Sequence, residues 1–117
     1  MARYCFTYDA KDALSWDPEE LILKISEIML NNKGLYLENP VPNTILFEDG
    51  NAQPNLAFWN GIFLKNVKED VFYYLGVIAK TAKGEYNESN EGDPDLDAEF
   101  QELLEELEDG DDEDLEQ

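Results

Sequence analysis

Apolar residues recur along this chain in two rhythms, and both predict elements. Between Asp17 and Gly34, Leu21, Ile22, Ile25, Ile28 and Met29 form one stripe at 3.6 residues per turn, behind a start signal of Asp17, Pro18 and Glu20. The spacing predicts a helix to about Asn32, with Gly34 as its stop. Leu23 and Leu30 lie on its opposite side and need cover from a second element or from a partner. Asn66-Val67-Lys68-Glu69 has the form of a capping box and predicts another helix to about Lys83. Val67, Val71, Tyr74, Leu75, Ile78 and Ala82 would be its core stripe, with Phe72, Tyr73 and Val77 on other faces. A last helix is predicted from the cap Asp93 and the first-turn Pro94 to a stop at Gly110, with Leu96, Phe100, Leu103, Leu104 and Leu107 on one side.

Strands are predicted at residues 3–8, 35–37, 44–47 and 56–64, where short runs rich in β-branched and aromatic residues are bounded by turn signals. Residues 9–16 read as a connection with room for one helical turn, and 39–42, with two prolines, as extended chain. Residues 48–51 read as a turn. Asn60-Gly61 interrupts the fourth strand as a bulge or a tight turn. The fold class expected is α+β: a small antiparallel sheet of three to four strands packed with two helices, plus a C-terminal acidic amphipathic helix. Residues 1–84 would be the body, 85–92 a linker, and 93–117 the acidic helix with an acidic end. The leucine stripe of that helix would pack on the body, or on a second copy of the chain in a homodimer.

Charge changes the picture. The 117 residues carry a formal net charge of -20, from 8 bases and 28 acids. All 8 bases lie in residues 1–84 with 11 of the acids, whereas residues 85–117 hold 17 acids and no base. The last helix alone carries Asp95, Asp97, Glu99, Glu102, Glu105, Glu106, Glu108 and Asp109. That is one charge per about 3 Å of helix axis, close to the roughly 3.4 Å between phosphates of one DNA strand. Such a surface repels nucleic acid and anionic membranes and attracts a cationic protein, foremost a nucleic-acid-binding protein or nuclease complex.

Catalytic chemistry is sparse. The chain has no histidine and one cysteine, so the usual general base and a disulfide framework are both missing. Cys5 reads as a small buried hydrophobe. No glycine-rich phosphate loop is present. Asp93, Asp95 and Asp97 copy the opening of a calcium loop, but Ala98 and Leu104 occupy its glycine and bidentate-glutamate positions. No enzyme activity, cofactor or dedicated metal site is expected. With no signal-peptide run and no apolar stretch of about 18 residues, the expected location is the cytoplasm, that of the host cell if a phage encodes the chain.

In size and in residues 93–117 the chain resembles the phage-encoded acidic DNA-mimic proteins, the anti-restriction and anti-CRISPR inhibitors. The resemblance covers about a fifth of the chain and rests on no motif. It implies an inhibitor that fills the cationic groove of a DNA- or RNA-binding protein without catalysis. Asp95, Glu99, Glu102, Glu105, Glu106, Glu108 and Asp109 would be the contacts, with Trp59, Phe72 and Tyr73 as less polar anchors. Two other readings use the same charge: an immunity protein neutralising a nuclease toxin, and a chaperone-like acidic shield of a basic protein.

Overall fold

A computed structural model describes residues 1–53 and 55–116, with side chains described up to Leu107 in the last helix. In chain order the elements are β1 (Ala2–Ala10), a single 3-10 turn (Ala13–Ser15), α1 (Pro18–Asn31), β2 (Gly34–Glu38), β3 (Thr44–Asp49), α2 (Leu56–Asn66), β4 (Val71–Ile78) and α3 (Pro94–Glu116). The strands form one antiparallel sheet in the order β2-β3-β1-β4. The fold is α+β, as expected. Its β-α-β-β-α-β succession, with the strands of the two halves interleaved, is the split β-α-β arrangement. That topology hosts many unrelated activities and by itself assigns none.

Alternation along β1 sets the layers. Tyr4, Phe6 and Tyr8 are buried on one face, beside Ile45 and Phe47 of β3. Leu21, Ile25 and Met29 of α1 and Trp59 and Phe63 of α2 complete the core on that side. Its centre is aromatic: the Phe6 and Phe63 rings lie 4.4 Å apart and those of Phe47 and Trp59 4.8 Å apart.

α1 begins as its sequence predicts, with the Asp17 carboxylate accepting the Glu19 N–H at 2.9 Å. It ends one position earlier than a glycine stop requires, because Lys33 takes the left-handed conformation (φ 67°). Gly34 is needed for a different reason. A Cβ there would lie 2.8 Å from the Met29 carbonyl oxygen, so only glycine lets β2 turn back this closely under the helix.

Two expectations are overturned, and they are neighbours. Residues 56–64, expected as a strand, form α2, and residues 66–83, expected as a helix, contain β4. Asn55 caps α2 by accepting the Ala57 N–H at 2.8 Å, and Trp59 and Phe63, four residues apart, enter the core together. Asn60-Gly61 sits in mid-helix as neither bulge nor turn, and a Cβ at Gly61 would meet nothing. Asn66 is the last residue of α2 rather than the cap of another helix, and its side chain bonds back to the Ile62 carbonyl at 2.8 Å. Along β4, Val71, Tyr73 and Leu75 face the helices while Phe72 and Tyr74 stand exposed, which is a period of two. α3 also runs on past Gly110, where a stop was expected.

Asp49, at the end of β3, has no exposed surface, yet it is an acceptor hub. It receives the Asn51 N–H and side-chain amide, each at 2.8 Å, and the Asn55 N–H at 3.4 Å. The Trp59 indole N–H makes no well-aligned hydrogen bond but lies close enough to help. Burial raises the Asp49 carboxyl, the hydrogen bonds together outweigh it, and the net pKa falls below the ordinary 3.8. The unfolded chain therefore takes up this proton first as pH falls. The stability Asp49 confers is complete above about pH 4 and is lost below it, as pH passes the lowered folded value. Asp49→Asn should cost about 2 kcal/mol at pH 7, and its deficit against the parent should shrink at pH 3, measured by urea unfolding at both values.

Candidate acidic interface

The acidic helix is delivered to its place by a tied strap rather than a free linker. After Ile78, which pairs with Arg3, the chain crosses the sheet face opposite the helices. Lys80 and Tyr86 bridge to each other, and the Tyr86 hydroxyl donates to Glu48 Oε1 of β3 at 2.6 Å. Arg3 of β1, 6% exposed, donates from Nε to Glu88 at 3.0 Å and from Nη2 to Glu38 of β2 at 3.2 Å. Burial disfavours its charge, but these two carboxylates more than compensate and the net pKa is raised. The strap then rounds the β2 end, where the Asp93 N–H donates to the Pro40 carbonyl at 2.7 Å. Gly92 passes so close to Pro40 that a Cβ would fall 2.6 Å from the ring. Residues 85–92 thus act as a fastening, not a spacer.

α3 starts on the side chain of Asp93, which accepts the Asp95 N–H at 2.9 Å. Three residues then hold it to the body. Phe100 is 2% exposed and joins the core, with Leu104 packed beside it. The Asp97 carboxylate accepts the N–H of buried Asn39 at 2.8 Å, and Gln101 donates to the Leu37 carbonyl at 2.8 Å. Further along, Leu107 lines a cleft with Leu30 and Leu35.

The outward side carries the charge. Asp95, Glu99, Glu102, Glu105 and Glu106 are exposed, and among the described residues none pairs with a lysine or arginine. Asp95, Glu99, Glu102 and Glu106 follow i, i+4, i+7, i+11 spacing and share one flank of the helix, a row of four carboxylates about 16 Å long. The spacing within that row is about 5.5 Å, wider than the one per 3 Å counted around the whole helix. Asp97 is half-buried and serves the scaffold instead.

The aromatic anchors fare unevenly. Trp59 is 0% exposed in the core and cannot touch a partner, which corrects that expectation. The Tyr73 ring packs on Phe6 and Phe63, and its hydroxyl donates to Asn60 Oδ1 at 2.6 Å, so its body belongs to the fold. Phe72 is 65% exposed, with Lys11 over its ring, but it stands on β4, whereas α3 meets α1 and β2. The side chains of Glu108 and Asp109 lie outside the described residues. Sequence reasoning missed Asp97, Gln101, Glu88 and Tyr86 as fasteners. A signal was present for one pair, since Gln101 is the one uncharged polar side chain between Asp93 and Asp109 and stands one turn from Asp97.

Cys5 is half-buried on the strapped face. Burial raises its thiol pKa, with Glu88 adding to the rise and Arg3 opposing it, so it is no activated nucleophile. Among the described residues no helix is long and apolar enough to cross a membrane. Comparison with protein-family models, with curated proteins and with solved structures finds no match for this chain.

The carboxylates of α3 therefore divide into two kinds, with different expected costs. Asp97→Ala leaves the buried Asn39 N–H without its acceptor and should destabilise by about 1.5–3 kcal/mol. Glu102→Gln, on the open flank, should change stability by no more than about 0.5 kcal/mol. Urea unfolding of both variants beside the parent checks the division.

Proposed function

We propose that this protein is a non-catalytic inhibitor whose acidic helix imitates nucleic-acid phosphates and fills the cationic groove of a DNA- or RNA-binding protein, in the manner of anti-restriction and anti-CRISPR inhibitors. The observation that carries this reading is the anchoring of α3. Phe100, Asp97 and Gln101 fix one side of the helix, and the opposite flank presents carboxylates with no basic partner among the described residues. Fixed charges gain more from a complementary groove than mobile ones, because less conformational freedom is lost on binding. Release of counterions from partner lysines and arginines adds a salt-dependent driving force.

An immunity protein against a nuclease toxin would use the same row of charges on a single cognate target. A loose acidic shield needs no anchored helix, so the three contacts of α3 favour groove occupancy over it. The site of action on this reading is the cytoplasm, where such targets meet their nucleic acid.

The test is capture of partners from a lysate of the native cell, followed by competition. The captured protein should bind DNA or RNA, and the wild-type chain should displace that nucleic acid. Glu102→Gln/Glu105→Gln/Glu106→Gln should weaken the complex about tenfold or more at low salt, and the gap should narrow as salt rises. A partner that holds nucleic acid and this protein together, or that binds the triple variant equally well, contradicts the proposal.

A further inference from the structure

Where α3 lies against α1, a cleft of about 170 Å³ opens between them. Its walls include Pro18 and Ile22 of α1 and Leu96, Phe100 and Leu103 of α3. Glu19 and Glu99, both exposed, also line it, one from each helix. Tyr8 lines it from β1, is 8% exposed, and its hydroxyl has no hydrogen-bond partner among the described residues. With no polar partner to offset burial, its pKa is pushed up to about 12.

The volume excludes a drug-sized or nucleotide-sized ligand, which needs roughly 300–1,000 Å³. An anion would meet two carboxylates. An apolar side chain would bury the Tyr8 hydroxyl and crowd both carboxylates without giving any of them a partner. The β2–β3 connection adds Asn39 and Asn43 to the lining, and the chemistry that matches apolar walls, two acids, one free hydroxyl and these amides is a long aliphatic stem with a cationic, multi-donor head. Arginine fits better than lysine, because its planar guanidinium carries five donors in a fixed fork and is more weakly hydrated.

We infer that this cleft receives one arginine side chain of the cationic partner, its stem against Ile22, Leu96 and Leu103 and its guanidinium between Glu19, Glu99 and the Tyr8 hydroxyl. The inference rests on the cationic-partner reading and gives it a point of specificity, since a row of carboxylates alone accepts any basic surface. This cleft brings Glu99 of the exposed row beside apolar side chains of both helices.

The test needs no partner protein, so its failure and that of the capture experiment are separate results. The full chain, labelled with ¹⁵N, is titrated with N-acetyl-arginine amide. Saturable shifts centred on Tyr8, Ile22, Leu96 and Leu103 are expected, with affinity on the order of millimolar. Glu19→Gln/Glu99→Gln should weaken binding at least tenfold, and Tyr8→Phe, which keeps the ring, severalfold. Shifts that never saturate, or that persist unchanged in Glu19→Gln/Glu99→Gln, overturn the inference. So does equal binding of N-acetyl-glutamine amide, and tighter binding of N-acetyl-lysine amide overturns the choice of arginine.

Discussion

The burial of Phe100 against the edge of the α+β core is the contact on which the acidic surface depends. Without it α3 would be a poor helix. Asp95 with Glu99, Glu99 with Glu102, Glu102 with Glu105 and Glu102 with Glu106 are like-charge neighbours three or four residues apart. Each such pair opposes the helix by about 0.2–0.5 kcal/mol, or about 1–2 kcal/mol for the four. Burying Phe100 returns about 1.5–3 kcal/mol, to which the partly buried Leu104 adds, and this offsets those four pairs. Asp95 and Asp97, in the first turn, are placed where the helix dipole favours negative charge. The repulsive flank persists because the other flank is held.

The strap explains why that flank meets α1 and β2 rather than another part of the body. Arg3 gathers Glu88 and Glu38, Tyr86 reaches Glu48, and Gly92 slips past Pro40, so the chain has little choice of where α3 begins. These contacts use one of the body's few bases. Arg3 is nearly buried, Lys24 pairs with Asp70, and neither is free to neutralise the row on α3. The exposed carboxylates of α3 thus keep their charge unpaired among the described residues, which electrostatic steering of a basic partner would use.

The elements up to β3 and the start of α3 were legible from sequence and residues 56–78 were not, for a physical reason. Asp17-Pro18 and Asp93-Pro94 announce helix starts that the capping hydrogen bonds realise, and the leucine stripe of α3 shows the side that is buried. Residues 56–66 are apolar all round, so periodicity carries no information there, and Asn60-Gly61 mimics a turn. What decides for helix is tertiary: Trp59 and Phe63 must reach the same aromatic cluster from one side. The same core claims Val71, Tyr73 and Leu75 in alternation, against the apparent cap at Asn66. At the candidate interface, the exposed carboxylates were readable one by one. The roles of Asp97 as a fastener and of Tyr8 and Glu19 beside Glu99 were not, because they depend on which helix lies next to which.

The acidic helix is fastened to the body before any partner arrives. Amide hydrogen exchange of the free protein measures this most directly. Backbone amides of residues 100–107 should be protected, and Phe100→Ala should lower that protection far more than it lowers protection of β1 or β3. Exchange across residues 100–107 at the rate of an unstructured chain, in a protein whose sheet amides are protected, would contradict the account.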